Sequence, residues 1–339
     1  MISTLLILLN IMNQKAPRLP WIDIAKSIAM IAVVFSHEFA SIKTLVISCN
    51  SFMLPLFFMC SGYCISPEKY SIWIYISKKI KALLIPYILL GLLVSAIQVP
   101  INGVYDIIQN IYTGLFSWQT LWFLPVLFFA DICLYYLLSK IKKSALIVLV
   151  IIILSLITSI ILNTQKIILP LDLSTIPIAM TYLSIGYILK QIINTIEKQK
   201  RLAIGICLFS IGIVGINITT GNLILKLNDI MPYEKIIFSI MEGTGILLIL
   251  SATSIITPSK SASYKYKFMI QFLQYIGKNT MVIFAFHMPI FFYCQTFIRP
   301  LVNNQIYYKS IEILLIWGIC LLLIPFFNQF APLIIGKQK

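Results

Sequence analysis

The sequence predicts an all-α polytopic membrane protein: about ten transmembrane helices in one bundle, with both termini cytoplasmic. Two observations of composition and one of charge predict it. The 339 residues are 60% hydrophobic and only 11% charged, with mean hydropathy +0.96, whereas an average soluble domain is about a quarter charged. A water-soluble fold could not cover so much apolar surface. Ten windows long enough to cross a bilayer, which takes about 20 apolar residues, alternate with polar or proline-bearing connections. If the first helix runs outward, the 26 Lys and Arg fall 20 on the cytoplasmic side and 6 on the other, as the inside bias of basic residues requires. One missed or added helix would scramble that alternation. Topology thereby accounts for the net charge of +15, without nucleic acid.

Taken in order, the chain opens with "MISTLLILLNIM", too short to span and without a basic leader. Residues 1–20 read as an N-terminal segment, either interfacial or an over-long start ahead of Met12. Residues 21–335 read as one transmembrane domain with no separate soluble domain. Spans are expected at about 21–43, 46–66, 83–100, 120–139, 145–162, 176–194, 202–219, 235–257, 278–298 and 310–332. The stretches "PEKYSIWIYISKKIKA" and "PSKSASYKYK" are read as connections. No internal repeat is visible, in contrast to many transporters. The seven cysteines lie mostly inside apolar runs and no pair has zinc-ligand spacing, so they read as packing residues and no metal is expected.

The first span holds "DIAKSIAMIAVVFSHE" (23–38), with four ionisable side chains. Lys26 and His37 are eleven residues apart, which at about 100° per residue places them on one helix face, roughly 16 Å apart along the axis. Asp23, three residues before Lys26, is spaced to pair with it near the headgroups. A charge deep in a bilayer costs roughly 2.5–3.5 kcal/mol on insertion scales, so such groups usually face the bundle interior or a wet cavity. Two readings are open. In one, Lys26 snorkels to the interface and His37 is a satisfied hydrogen-bonding residue. In the other, the face is a polar track across the membrane with a titratable imidazole near its outer end. Asp131 and Glu242 are further acids inside apolar spans, each suited to steady a histidine or a lysine. Gly243 and Gly245 beside Glu242 permit close approach.

The lysine, ten residues, then histidine of this helix resembles the signature of acyltransferase family 3, integral-membrane O-acyltransferases. "WIDIAKSIAMIAVVFSHE" is most similar to the fucose 4-O-acetylase-like branch. Further similarities follow in family order: "LPLFFMCSGYCI" (54–65), "SKKIKALLIPY" (77–87), "LWFLPVLFF" (121–129) and "IGKNTMVIFAFHMPIF" (276–291). One departure stands out. "FMLPLFF" places Met53 where that branch often has histidine, which bears on the acceptor or its geometry.

The resemblance implies transfer of an acyl group, acetyl by family precedent, from cytoplasmic acyl-CoA to a hydroxyl of a cell-surface or secreted carbohydrate. That acceptor would be an exopolysaccharide, a lipid-linked glycan or a surface sugar. Acetyl-CoA is then a donor substrate and no cofactor is bound permanently; the partners are the glycan and the lipid of the cell (inner) membrane. His37 would be the general base for a poorly nucleophilic hydroxyl. Glu38, about 100° further round the helix, would meet the acceptor at the outer rim. His287 matches the family's late histidine and reads equally as catalytic or as a structural hydrogen bonder. Lys78, Lys79 and Lys81, with Lys26, would bind the phosphates of the donor, or else mark topology and touch lipid headgroups. Asp23, Trp122, Asp131, Glu242, Ser61 and Tyr63 are support positions, for the motif residues first of all through packing, and Pro55 is a kink. The route reads as a direct ternary complex, since no serine or cysteine stands at a clear offset on the His37 face to carry the acyl group.

The rival is a proton-coupled transporter or glycan flippase relaying through His37, Glu242 and Asp131. Missing repeats and motifs in family order weigh against it. A glycan polymerase or ligase would bring a long outer loop bearing arginines, and the outer loops here hold only Arg299.

Overall fold

Immersed in hydrocarbon, a backbone must satisfy its own amides and carbonyls, and long Leu, Ile and Phe runs do so as helices. The computed structural model describes residues 18–98, 121–141, 145–167, 169–220, 233–253 and 264–337. The N-terminal segment expected to be interfacial lies, up to residue 17, outside the described residues. Eleven helices occur among the described residues: α1 Pro20–Glu38, α2 Lys43–Tyr63, α3 Ile72–Gln98, α4 Phe123–Lys140, α5 Ala145–Thr164, α6 Ile176–Ile192, α7 Lys198–Thr220, α8 Tyr233–Ala252, α9 Tyr264–Lys278, α10 Thr280–Tyr293 and α11 Gln305–Phe330. All but α9 belong to the ten candidate membrane spans. This is the all-α polytopic membrane protein that the hydropathy pattern predicts.

Two boundaries correct the sequence reading. The third span begins at Ile72, not near 83, so Lys78, Lys79 and Lys81 ride on a helix instead of preceding one. Within it, Ile80–Leu84 form a π-turn. Pro86 supplies the reason: it has no amide to donate and its ring crowds the carbonyl of Ala82, and a widened turn absorbs both faults. The second correction is α9, an amphipathic helix beginning inside the expected connection "PSKSASYKYK". Its Ile270 packs on Ile24 of α1, and Trp21, Ile28, Tyr266 and Leu273 close around that contact. Gly277 closes the approach, since a Cβ there would overlap the Asp23 carbonyl.

Contacts between helix ends fix the antiparallel order. Tyr135 near the end of α4 donates to the Tyr70 carbonyl before α3, and Lys190 near the end of α6 donates to the Ile65 carbonyl after α2. Asn328 near the end of α11 donates to Asn279, just before α10. These share the end holding the start of α1, called here the near end. The far end is marked by Lys309 at the start of α11 beside Glu38 at the end of α1, and by Tyr293 donating to the Ile97 carbonyl at the end of α3.

Of each span's most apolar stretch, 78% is buried within α2 but only 22% within α5 and α7, so α2 runs through the core while α5 and α7 face lipid. The α2–α6 crossing is close because both helices supply glycine. A Cβ on Gly62 would overlap the Leu183 carbonyl, and one on Gly186 the Met59 carbonyl. Small residues at crossings let backbones meet in a membrane. Gly62 sits inside the Ser61–Tyr63 motif, whose packing reading this supports.

Candidate active site

Serine is tolerated inside α1 because Ser27 and Ser36 each bond back to a carbonyl three residues earlier, a local satisfaction that needs no water. One residue beyond Ser36, His37 is half-buried and turned to α10, its ring centroid 5.5 Å from that of His287. The two histidines, 250 residues apart in the chain, thus form a pair. His287 is 1% exposed, and its Nδ1 lies 2.9 Å from the carbonyl oxygen of Ile283. A carbonyl only accepts, so Nδ1 carries the hydrogen and Nε2 keeps a bare lone pair. That Nε2 is buried with no hydrogen-bond partner among the described residues. Pro289, two residues on, cannot donate to the Ala285 carbonyl and so loosens α10 beside the pair.

Aromatic rings wall the pair. Phe284 stands 6.3 Å from His287, Phe123 5.8 Å from Phe284, and Phe58 4.7 Å from Phe123, centroid to centroid. Three of the motif stretches, on α2, α4 and α10, converge here. Trp122 meets Phe123 edge-on at 6.5 Å. Met53, where the chain departs from the resembled branch, packs on α1: its sulfur accepts from Ser36 at 3.8 Å, one residue before His37 in the chain.

Glu38 does not turn to either imidazole. It meets Lys309 of α11 at 3.5 Å, and Lys309 is 2.5 Å from Glu312, which also accepts from the Tyr308 hydroxyl. Both carboxylates are nearly inaccessible, with side-chain exposures of 1% and 0%. Two buried acids share one ammonium, and Glu38 Oε1 is left without a partner. Glu312 carries the signal of an acid inside an apolar span, the signal that singled out Asp131 and Glu242, yet the sequence reading passed it over.

At the near end the predicted cations separate. Lys79 pairs with the fully buried Asp131, which also accepts from Tyr75 at 2.5 Å and from Ser61 at 3.3 Å. Asp131 thus steadies a lysine and lies away from the histidines. Lys78 sits 3.5 Å over the Tyr70 ring, and its ammonium holds the Tyr70 phenol below its ordinary value. Lys81 is exposed. Lys26 is half-buried and has no hydrogen bond or ion pair among the described residues. The expected Asp23–Lys26 pair does not form; Asp23 Oδ2 is buried and unpartnered. Tyr63 packs edge-on against Trp21 at 4.8 Å. Arg201 on α7, counted from sequence only as a topology charge, has its Nε buried without a partner. Glu242 accepts from Ser51, beside the Asn217–Ser48 hydrogen bond, and contacts neither histidine.

The face joining Lys26 to His37 is not a continuous polar track. Between them, at the spacing that shares a helix face, stand Met30 and Val33, 0% and 3% exposed. A half-buried cation at one end and a histidine pair at the other are separated by a packed apolar waist.

A family model described as an acyltransferase domain matches residues 19–327, which takes in α1 through most of α11. The searches of curated proteins and of solved structures returned no match. The matched stretch contains both histidines, the aromatic wall and the charge clusters at both ends, and on that coverage the chain belongs to acyltransferase family 3, as a multi-pass membrane acyltransferase.

Proposed function

We propose that the protein moves an acyl group, acetyl in the first instance, from acyl-CoA held at the near, cytoplasmic end to a carbohydrate hydroxyl presented at the far end. The reading places it in the cell (inner) membrane and keeps the likeness to the fucose 4-O-acetylase branch. The observation that carries it is the His37–His287 pair, with the buried partner's tautomer set by the Ile283 carbonyl. His37, the more accessible ring, takes the proton of the acceptor hydroxyl as its oxygen attacks the thioester carbon. The O–C bond forms, the C–S bond breaks, and the proton leaves on the thiolate as CoA-SH. His287 is a positioning residue: its bare Nε2 favours a protonated neighbour. Lys26 and Lys81, neither tied to an acid, supply charge for the donor's phosphates, with Lys78 near by.

The test is transfer of label from radiolabelled acetyl-CoA to glycan acceptors by the purified protein in liposomes. Removing a general base typically costs 10²–10⁴-fold, so His37→Ala should lose about that much kcat at normal folding. His287→Gln should cost less and shift the pH profile of kcat. Wild-type rates in His37→Ala would end the base assignment. Family membership favours this reading over a carrier, for which solute uptake without CoA would be the sign.

A further inference from the structure

Of the helices described, α9 alone is not a candidate span, and its composition gives the reason. Its 15 residues include three lysines and two glutamines, and at about 1.5 Å per residue it is roughly 22 Å long, short of the hydrocarbon thickness. Its surroundings put it at the near-end surface. It packs where α1 begins, around Ile24, beside Leu250 two residues before the end of α8. The residue that follows it, Asn279, accepts from Asn328 and Lys337.

At about 100° per residue the side chains of α9 fall into three stripes. Tyr266, Ile270, Leu273 and Gly277 share the stripe that meets α1. Lys267, Gln271, Gln274 and Lys278 share a second, polar throughout. Opposite the α1 contact stand Phe268, Phe272 and Tyr275, which are 60%, 37% and 37% exposed, with the Phe268 and Phe272 rings stacked at 6.3 Å. Lys265 sits at the edge of this aromatic stripe. Exposed rings do not suit water, and a stripe of lysines does not suit hydrocarbon. The headgroup layer suits both, because rings enter the acyl boundary there while ammonium groups meet lipid phosphates. Lys265 and Lys278 are exposed and meet no acid among the described residues. With three basic residues and no acidic one, α9 favours anionic over zwitterionic headgroups. In the orientation proposed above this end faces the cytoplasm, whose leaflet carries anionic lipid.

What seats α9 also bears on α1. A Cβ on Gly277 would overlap the Asp23 carbonyl, so the two backbones touch, and Ile270 lies on Ile24. Lys26 belongs to the same turn of α1 as Asp23 and Ile24. We infer that α9 is an interfacial helix seated on anionic lipid headgroups of the near-end leaflet, and that this seat steadies the first turns of α1. Neither half depends on acyl transfer.

Hydrogen exchange in lipid nanodiscs tests both halves. In phosphatidylcholine discs containing phosphatidylglycerol, the amides of Tyr264–Lys278 should exchange about tenfold more slowly than in pure phosphatidylcholine, because docking closes the local opening through which exchange occurs. Residues 20–28 should follow with a smaller slowing, and high salt should narrow the difference. The triple change Lys265→Gln, Lys267→Gln and Lys278→Gln should abolish it. Equal exchange of α9 in the two lipids by the wild-type protein overturns the lipid seat, and unchanged exchange over residues 20–28 overturns the link to α1. A slowing that extends equally to Phe123–Lys140 of α4 is a bulk effect of the lipid and overturns the proposal too. So does equal protection of α9 by acetyl-CoA in pure phosphatidylcholine, since the lysines would then serve a soluble anion. The wild-type comparison needs no variant to fold.

Discussion

Two charge clusters, Asp131 with Lys79 toward the near end and Glu38 with Lys309 and Glu312 at the far end, treat buried charge differently. At the near end, Asp131 faces one ammonium, that of Lys79, and its remaining capacity is filled by Tyr75 and Ser61; Tyr75 in turn stacks on Tyr135 at 3.6 Å. At the far end, two carboxylates divide one ammonium, and among the described residues one carboxylate oxygen has no partner and Arg299 has no acid. A closed network of this kind holds helices together. An open one keeps donors and acceptors in reserve, at a cost in stability that a bound ligand offsets. From that contrast we expect structural support from the cluster on α3 and α4, and a part in recognition from the one on α1 and α11.

The largest effect should come from opening the closed network. Asp131→Ala leaves the Lys79 ammonium, 23% exposed, without its acid. Breaking a fully buried pair typically costs about 3–5 kcal/mol, and the lower end of that range is expected here, so thermal unfolding in detergent should fall clearly; the double change Lys79→Met with Asp131→Leu should recover most of it. At the far end Glu312→Gln leaves Lys309 its pair with Glu38. It should lower stability by less than about 1 kcal/mol and instead reduce kcat/KM for the acceptor roughly tenfold, or about 1.4 kcal/mol. If Glu312→Gln destabilises as much as Asp131→Ala, the contrast between the ends is gone. A smaller effect follows from the two cations without acid partners. Lys26→Ala with Lys81→Ala should raise KM for acetyl-CoA several-fold at low salt and less at 0.5 M salt, because screening already weakens the attraction.

The smallest concerns Lys337, which lies beyond the last span and donates to Asn279 and Asn328 at 2.6 Å. Burial, with Arg18 adding to it, pushes its ammonium below the ordinary lysine value of 10.5. The folded state therefore binds fewer protons than the unfolded state between the lowered value and 10.5, and stability rises with pH across that window. In Lys337→Met this part of the rise should vanish, seen as a shallower pH dependence of the unfolding midpoint.

Hydropathy alone made the ten spans legible, because hydrocarbon leaves a backbone little choice. It misjudged the start of α3, since the lysines at 78, 79 and 81 dilute the window and the acid that neutralises Lys79 lies 52 residues away. The amphipathic α9 was visible in principle: Tyr266, Ile270, Leu273 and Gly277 recur at intervals of four, three and four. A window tuned to all-round apolarity does not register them. His37 and Lys26 were legible as costly residues on one face. That His37 meets His287 was not, because a single chain carries no signal linking α1 to α10. Nor does spacing reveal that the face between Lys26 and His37 is filled by Met30 and Val33.

That filled waist bears on how the cell keeps its energy supply. On the proposed reading, a neutral acyl thioester has only a flexible thioether and a valine to displace, whereas a hydrated ion meets a closed apolar layer. The enzyme would then hand a small uncharged group across the bilayer while the gasket holds back protons, and the voltage on which the rest of the membrane runs would not be short-circuited.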